Sequence, residues 1–523
     1  MKRWAQKVLD RHQTLLFNPT LDSCIDQDHP VRLFDEILSQ RNWSDWNSRY
    51  VGQRGQPPIP PQVMASVILY GLSMGIRSSR RLEWACHNAL DYIWLAQGRK
   101  IDHSTFCHFR TKFETELKGT FRQIGRLALR IGLTRLNQVL FDGTRIKAHS
   151  NRDGATASAI ESRIAELDQQ IEKMFSEAND ADQKETDLFG ASVSPNRLPA
   201  KLGQLEKRRA LLKKAQEVAE QTDRNRQARS DSSKKPAHVS VTDPDSRVMP
   251  NKEGGFAPNY TPVVAVDAEA GLILDADVIN SSDEAVCVEG MLDRIQDDYG
   301  QPPEQAAADA KFSTGAVLSE LDRRGVEAYM PVKTGVKTQD NPAVRADPTQ
   351  AVAPADWSKL PRSPQNKTLA RECFIYDAQT DCYYCPLGKK LDHYRNSIRK
   401  KTGVGVRLRH YRGVGCANCP LAGDCIKGNN AHRTICRDAY EDLRDQSRAR
   451  TQTPLGRKLS KRRLSYTEGV FGLIKSCMGL RQFLLRGLEK VRTEWLWACT
   501  AYNLKRLVSE IINIRRSLAA LSA

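Results

Sequence analysis

No uninterrupted apolar run in this 523-residue chain approaches the roughly 20 residues that a helix needs to cross a bilayer. The opening residues, MKRWAQKVLDRHQ, do not lead into the apolar core of a secretion signal, and no internal repeat is apparent. A membrane role is therefore disfavoured, and a cytoplasmic protein is expected. Negative charge is also scarce: 62 Asp and Glu face 80 Lys and Arg, a formal net charge of +18. Clustered cations gain free energy by releasing counterions from phosphates, so the excess points to a polyanionic partner, although charge alone does not separate DNA from RNA or an anionic membrane. The 13 cysteines are not distributed like a secreted disulfide scaffold. Cys24, Cys86, Cys107, Cys287, Cys477 and Cys499 stand singly, whereas seven crowd between Cys373 and Cys436, and in a reducing compartment such a crowd reads as metal ligands.

The length exceeds what one hydrophobic core usually supports, so two to four domains, or one core with large insertions, are expected. Up to about residue 135 apolar residues recur at helical spacing, and Asp102-His-Ser-Thr offers N-cap chemistry after a break at Gly98. Arg77, Arg80, Arg81 and Arg110 would give these helices a basic face, compatible with a helix-turn-helix on DNA or with a solvated face of an ordinary bundle. NQVLFDGTRIKA reads as a strand reaching Asp142. Ile160, Ile164, Leu167, Ile171 and Met174 form one helical stripe, and LPAKLGQLEKRRALLKKAQEVAE is a second helix; together they predict a helical hairpin closed by the Ser-rich stretch from Gln221 to Pro236. YTPVVAVDAEAGLILDADVIN predicts a β-hairpin, EAVCVEGMLDRIQDDYG a helix, QAAADA a short strand delivering Asp309, and VEAYMPVK another strand. Residues 335–445 read as irregular, and two helices are expected to finish the chain. That order suits an α/β protein with a mixed sheet and helices on its faces, and it resembles an RNase H-like nucleotidyl-transfer core.

Three carboxylates stand out. Asp142 in LFDGT sits at a strand that should be central, although Asp-Gly also favours a hairpin turn. Asp309 ends the run AAADAKF, or else serves as a loop or cap residue before a helix near Ser313. Glu468 in YTEGVFGLIKS precedes Lys475 by seven residues, which places both on one helical face, a spacing that a solvated charge pair also satisfies. Between Arg457 and Arg506 twelve Lys or Arg face three Glu, an excess that would draw a phosphate backbone. Trp495 and Trp497 read as core residues.

FDGTRIKAHSNRD, ADAKFSTG and EGVFGLIKSCMGLRQFLLRGLEKVRTEW together resemble the DDE transposases of bacterial insertion sequences, in the branch with an Asp-Gly-Thr first motif and E-x6-K in the third. FNPTLDSCIDQDHPVRLFDEIL and ILYGLSMGIRSSRRLEWAC resemble the helical domain that precedes the catalytic core in that branch. The resemblance implies that Asp142, Asp309 and Glu468 hold two Mg²⁺ or Mn²⁺ ions, that Lys475 meets a DNA phosphate, and that Arg462, Arg463, Arg481 and Arg486 belong to the same DNA-binding motif. The family's third motif commonly has Tyr seven and Arg four residues before the Glu; here Lys461 and Leu464 stand there, with Arg462 and Arg463 beside them.

Cys382-Tyr-Tyr-Cys385, Cys416-Ala-Asn-Cys419 and Cys425 carry a strong tetrahedral Zn²⁺ signal. Seven thiols compete for four places; the resemblance selects Cys385, Cys416, Cys419 and Cys425. The expected division is an N-terminal all-helical DNA-binding domain at 1–135, an RNase H-like core at 136–334 and 446–523 with a helical insertion at 151–236, and a Cys-rich, zinc-binding insertion at 335–445. The expected function is metal-dependent cleavage at element ends and strand transfer into target double-stranded DNA by a homodimer in the nucleoid. Two rivals are a catalytically inactive, zinc-containing DNA-binding protein derived from a transposase, and a nuclease that cuts without joining.

Overall fold

The computed structural model describes residues 20–50, 57–150, 154–189, 200–228, 235–251, 254–332, 340–364, 367–401, 404–426 and 430–522. The MKRWAQKVLDRHQ opening, the start of the FNPTL segment and the centre of the Ser-rich stretch lie outside the described residues. The helices α1 (Pro30–Ser39), α2 (Ser44–Ser48), α3 (Pro61–Ser73), α4 (Ser79–Asn88), α5 (Leu90–Leu95), α6 (His103–Lys112) and α7 (Glu114–Arg130) come first. The strands β1 (Gln138–Gly143) and β2 (Ile146–Lys147) precede the long helices α8 (Ala157–Phe189) and α9 (Ala200–Ala228). Then follow β3 (Arg247–Pro250), β4 (Phe256–Asp267), β5 (Ile273–Ile279), a 3₁₀ turn at Glu284–Cys287, α10 (Val288–Tyr299), β6 (Gln305–Ala307), α11 (Gly315–Arg323) and β7 (Glu327–Tyr329).

The first sheet runs β5-β4-β1-β6-β7, with β2 and β3 added along the first half of β4. β1 is antiparallel to β4 and parallel to β6. β4 is buried at nearly every position, as a strand covered on both faces must be. Alternation then sorts the strand residues by face. Val139, Phe141, Val263 and Ala265 pack in one apolar cluster with Val288, Met291 and Leu292 of α10 and Leu318 and Leu321 of α11. Leu140, Val264 and Val266 join a second cluster that runs through the N-terminal helices and the C-terminal end of the chain.

Beyond β7, residues read as irregular form a second, antiparallel sheet. Its strands β8 (Ile375–Asp377), β9 (Cys382–Tyr384), β10 (Lys390–Lys401), β11 (Val404–Gly413) and β12 (Thr434–Asp438) lie side by side in sequence order, with the single turn α12 (Ala422–Cys425) between the last two. Tyr383, Leu391, Tyr411 and Ile435 make the small core. The irregular reading missed the alternation of Val404, Val406 and Leu408 with Gly405, Arg407 and Arg409 in β11, which follows the charged run of β10. A further correction concerns the ending: three helices, not two, finish the chain, α13 (Glu441–Gln452), α14 (Pro454–Gly472) and α15 (Leu488–Ser522). Thr453 caps α14, its hydroxyl accepting from Gly456 N at 3.0 Å, and Pro454 occupies the first helical position, where its missing N–H costs nothing.

In the N-terminal helices, α6 begins as expected: the Asp102 carboxylate accepts from Ser104 N at 2.8 Å. The basic face is not as expected. Arg77 donates to the carbonyls of Gly479 and Gln482 and pairs with Glu494 at 2.8 Å. Arg110 donates to the Arg77 carbonyl, and burial pushes its guanidinium down to about 10. Arg77 therefore fastens the N-terminal helices to the segment leading into α15, Arg110 braces Arg77 from within those helices, and only Arg80 and Arg81 of the four stand exposed. Trp495 and Trp497 are buried, as expected; Trp497 meets Trp46 edge-on, and Trp46 stacks on Phe113.

α15 also lies along β5. Asn503, fully buried, donates through Nδ2 to the Ile273 carbonyl at 2.7 Å and accepts at Oδ1 from Ile273 N at 2.8 Å. One side-chain amide thus takes the place of a neighbouring strand. Asn503→Leu keeps the volume but leaves two buried backbone groups unpaired, so it should destabilise the fold by about 2–4 kcal/mol. Urea unfolding should show a lower midpoint with unchanged slope; a wild-type midpoint overturns this account.

Candidate active site and cysteine cluster

β1 and β6 pair in parallel register, with Leu140 opposite Ala307. Asp142 and Asp309 each follow those partners by two residues, so both stand at the same end of adjacent strands. Asp142 lies within β1, opposite Val264 of β4; the hairpin-turn alternative for Asp142-Gly143 is excluded because the strand continues through Gly143. Asp309 lies two residues beyond β6, and its carboxylate accepts from Lys311 N at 2.8 Å. It does not cap α11, a role taken by Thr314.

α14 packs on β1 from the Leu140 face. Thr467, fully buried, donates to Asp142 Oδ2 at 2.6 Å, and Arg463, one turn earlier, pairs with the same oxygen at 3.2 Å. Asp142 Oδ1 accepts from Gly143 N. Glu468, next to Thr467, is exposed and makes no hydrogen bond or ion pair among the described residues. The one-face expectation for Glu468 and Lys475 needs correction. The helix widens into a π-helical turn over Leu473–Cys477, which breaks the α-helical phase between them. Lys475 Nζ is thereby brought to Thr144 Oγ1 and the Arg145 carbonyl, just beyond β1. Of the other basic residues in the motif, Arg462 reaches Gln138, Arg481 reaches Ser476, and Arg486 donates to the His149 carbonyl at 2.8 Å.

A carboxylate that the sequence did not single out stands beside this site. Glu284, in the 3₁₀ turn before α10, lies against Gly143, where a β-carbon would come within 2.6 Å of its Cδ. Lys311 Nζ is 3.5 Å from its Oε1. Burial raises the pKa of Glu284; Lys311 opposes that shift, while the negative charges of Asp309 and Asp142 add to it. The three carboxylates share one field without touching. Among the described residues the three-residue group with donor atoms within 4.8 Å of one another lies elsewhere, at Glu83, Asp102 and His103.

In the second sheet, Cys385, Cys416, Cys419 and Cys425 line a cavity of about 30 Å³ walled by Leu391 and Leu421, room for a single small occupant. Burial pushes the Cys425 thiol up to about 12, and the charges of Cys416, Cys385 and Cys419 raise it further against Arg433. The remaining thiols of the crowd have other partners: Cys373 the Pro361 carbonyl, Cys382 the Thr380 hydroxyl, and Cys436 the His410 ring. All 13 cysteines are free.

Residues 19–112 match the family model described as Transposase domain (DUF772), and residues 384–508 match the one described as Transposase DDE domain. The first match covers the N-terminal helices, and the second runs from the cysteine cluster through α14 into α15. Together the two matches support a DDE transposase of an insertion sequence. No curated protein matches it. Among the described residues no helix is long and apolar enough to cross a membrane.

Because Thr467 gives Asp142 a charge-assisted hydrogen bond from a fully buried hydroxyl, the near-isosteric Thr467→Val should cost about 1.5–3 kcal/mol. An unfolding free energy that falls by less than about a third of that would show that the Thr467 bond does not hold Asp142.

Proposed function

We propose that the chain cuts DNA at the ends of its element and joins the freed ends to target DNA, using Asp142, Asp309 and Glu468 as its metal-binding carboxylates. The observation that carries this reading is the parallel pairing of β1 and β6, which leaves two aspartates at one end of the sheet beneath the helix that bears Glu468. A central strand antiparallel to one neighbour and parallel to the other, with helices on both faces, supports an RNase H-like core. The donor set fits Mg²⁺ or Mn²⁺: every candidate ligand is a hard oxygen, and Glu284 contributes a buried carboxylate oxygen with no hydrogen-bond partner. Bound by these residues, such ions would supply cover for charge on the phosphate and activation of a nucleophile near neutral pH.

The protein's own part is orientation. Thr467 and Arg463 fix the rotamer of Asp142, with Arg463 balancing its charge before DNA arrives. Lys475, held at Thr144 beside the strand end, is placed to meet a phosphate at the cut. A groove of about 810 Å³ between the two sheets is lined by Lys311, Arg371, Arg437, Arg444 and Arg448 and equally by Glu372, Asp438, Glu441, Asp442 and Asp445, so its charges balance and it offers a phosphate backbone no net attraction. Water attacks phosphorus and a 3′ oxygen leaves; the resulting 3′ hydroxyl then attacks a target phosphodiester, forming one P–O bond as another breaks. Two element ends call for two copies of the chain, with Arg80 and Arg81 on the N-terminal helices available for end binding.

The test is nicking of a labelled duplex carrying the element's ends, with Mg²⁺ or Mn²⁺ and with Ca²⁺ as the control. Asp142→Asn, Asp309→Asn and Glu468→Gln should each lower cleavage by at least about a thousandfold, roughly 4 kcal/mol of barrier, while end binding persists. Binding without nicking in the wild type would favour a DNA-binding protein that has lost its chemistry, a reading for which the Arg463–Asp142 ion pair is the specific support. Cleavage without joined products would identify a nuclease.

Cys385, Cys416, Cys419 and Cys425 are read as ligands of one structural Zn²⁺, the soft tetrahedral set such a site uses. Purified protein should contain about one zinc per chain. Cys416→Ser with Cys419→Ser should abolish that zinc and lower thermal stability, while Cys382→Ser and Cys373→Ser should leave the zinc in place. Full zinc content in the double variant would exclude this set.

A further inference from the structure

Glu284 combines three properties that ordinary structural roles do not explain. Its side chain is only 4% exposed, yet its Oε2 has no hydrogen-bond partner. A buried carboxylate left in this way costs several kcal/mol, and such charges persist where they are paired or coordinate a metal. Its one ion-pair partner, Lys311, sits 3.5 Å away at the other oxygen, on a side chain that is 65% exposed, so the pair is stretched and largely solvated. The backbone is also shaped around it. A β-carbon on Gly143 would stand 2.7 Å from Oε2, and the φ of Gly143 is not positive, so the glycine serves this close approach rather than a turn. Asp283 fixes the start of the turn, its carboxylate accepting from Ala285 N, and thereby directs Glu284 towards β1.

The neighbours on either side of this carboxylate are the two aspartates of the site. Gly143 follows Asp142 directly, and Lys311 is two residues beyond Asp309. Asp142 points from β1 towards α14, whereas Glu284 reaches the same strand end from the α10 side.

We infer that Glu284 is a fourth carboxylate of the metal centre, binding a divalent cation together with Asp142 and Asp309 from the face of the sheet opposite Glu468. This rests on the metal-centre reading above and deepens it. Glu284 supplies a hard oxygen donor on an element separate from α14, so one cation can be held by residues of the sheet and the α10 turn before Glu468 is brought in. Lys311 then acts as the cation's stand-in, balancing charge in its absence.

The test is Mn²⁺ binding by the full chain without DNA, followed by calorimetry and by the Mn²⁺-induced rise in melting temperature, which reports affinity through linkage. Glu284→Gln should weaken Mn²⁺ binding by about tenfold or more, while the metal-free melting temperature stays level or rises because an unpaired buried charge is gone. Glu284→Asp, which withdraws the carboxylate by one methylene, should give a smaller loss and serves if the Gln variant does not fold. Unchanged Mn²⁺ affinity in both variants overturns the inference, as does a fall in metal-free stability with the Mn²⁺-induced rise intact, the signature of a purely structural Glu284–Lys311 pair. Asp142→Asn separates the two levels: if it too binds Mn²⁺ normally, the metal-centre reading falls; if it loses binding while the Glu284 variants keep it, only the role of Glu284 falls.

Discussion

The parallel pairing of β1 with β6 governs the geometry of the site. Antiparallel neighbours would send the residues after Leu140 and after Ala307 to opposite ends of the sheet; parallel ones leave Asp142 and Asp309 side by side. A parallel pair needs a crossover between its strands, and here the chain between β1 and β6 contains α8, α9, the β4–β5 hairpin and α10. The same connection carries Glu284 to the strand end. α14 then crosses the opposite face, and its Thr467 and Arg463 contact Asp142 across more than 300 residues of sequence.

The N-terminal helices are joined to this frame rather than tethered to it. One apolar cluster includes residues of α1, α3, α6, α7, the Leu140 face of the sheet, α14 and α15. Arg77 reinforces the junction by donating to the carbonyls of Gly479 and Gln482, and Trp497 does so by donating to the Arg110 carbonyl. The second sheet is fastened differently. Arg437 is buried, lies over Tyr376 at 3.7 Å, and bonds Asp442 and Asp445 of α13, while Ser447 of α13 bonds both backbone groups of Met330 after β7. Stacked on an aromatic face and shared between two carboxylates, the guanidinium uses the planar donor geometry that Lys lacks.

Much of this was legible in the chain because it is written locally. The β4–β5 hairpin, α10 and its Gly300 end, the Asp102 cap and the short strand before Asp309 each follow from a period or a turn residue. What stayed hidden depends on distant partners. Arg77 looks like a surface cation until its acceptors, some 400 residues away, are in view, and Arg110 until its bond to the Arg77 carbonyl is. Glu284 sits in an unremarkable Asp-Glu-Ala turn, and only its contact with Gly143 marks it. The strands β10 and β11 escaped notice because the only apolar alternation there, Val404, Val406 and Leu408 between Gly405, Arg407 and Arg409, is short and follows the charged run of β10. The cysteine pattern shows the opposite limit: spacing pairs Cys382 with Cys385, yet Cys382 lies within β9 at the Thr380 hydroxyl while Cys385, just beyond the strand, lines the cavity with Cys416, Cys419 and Cys425.

The amide of Asn503 has a consequence for assembly. Open sheet margins recruit further strands from other molecules, and proteins brought together at high local concentration are the most exposed to that hazard. Here β5 is closed off by α15 and β7 by α13, leaving neither margin free to template a neighbour. Copies of the chain can therefore meet through side-chain surfaces, and separate again, without becoming woven into a common sheet.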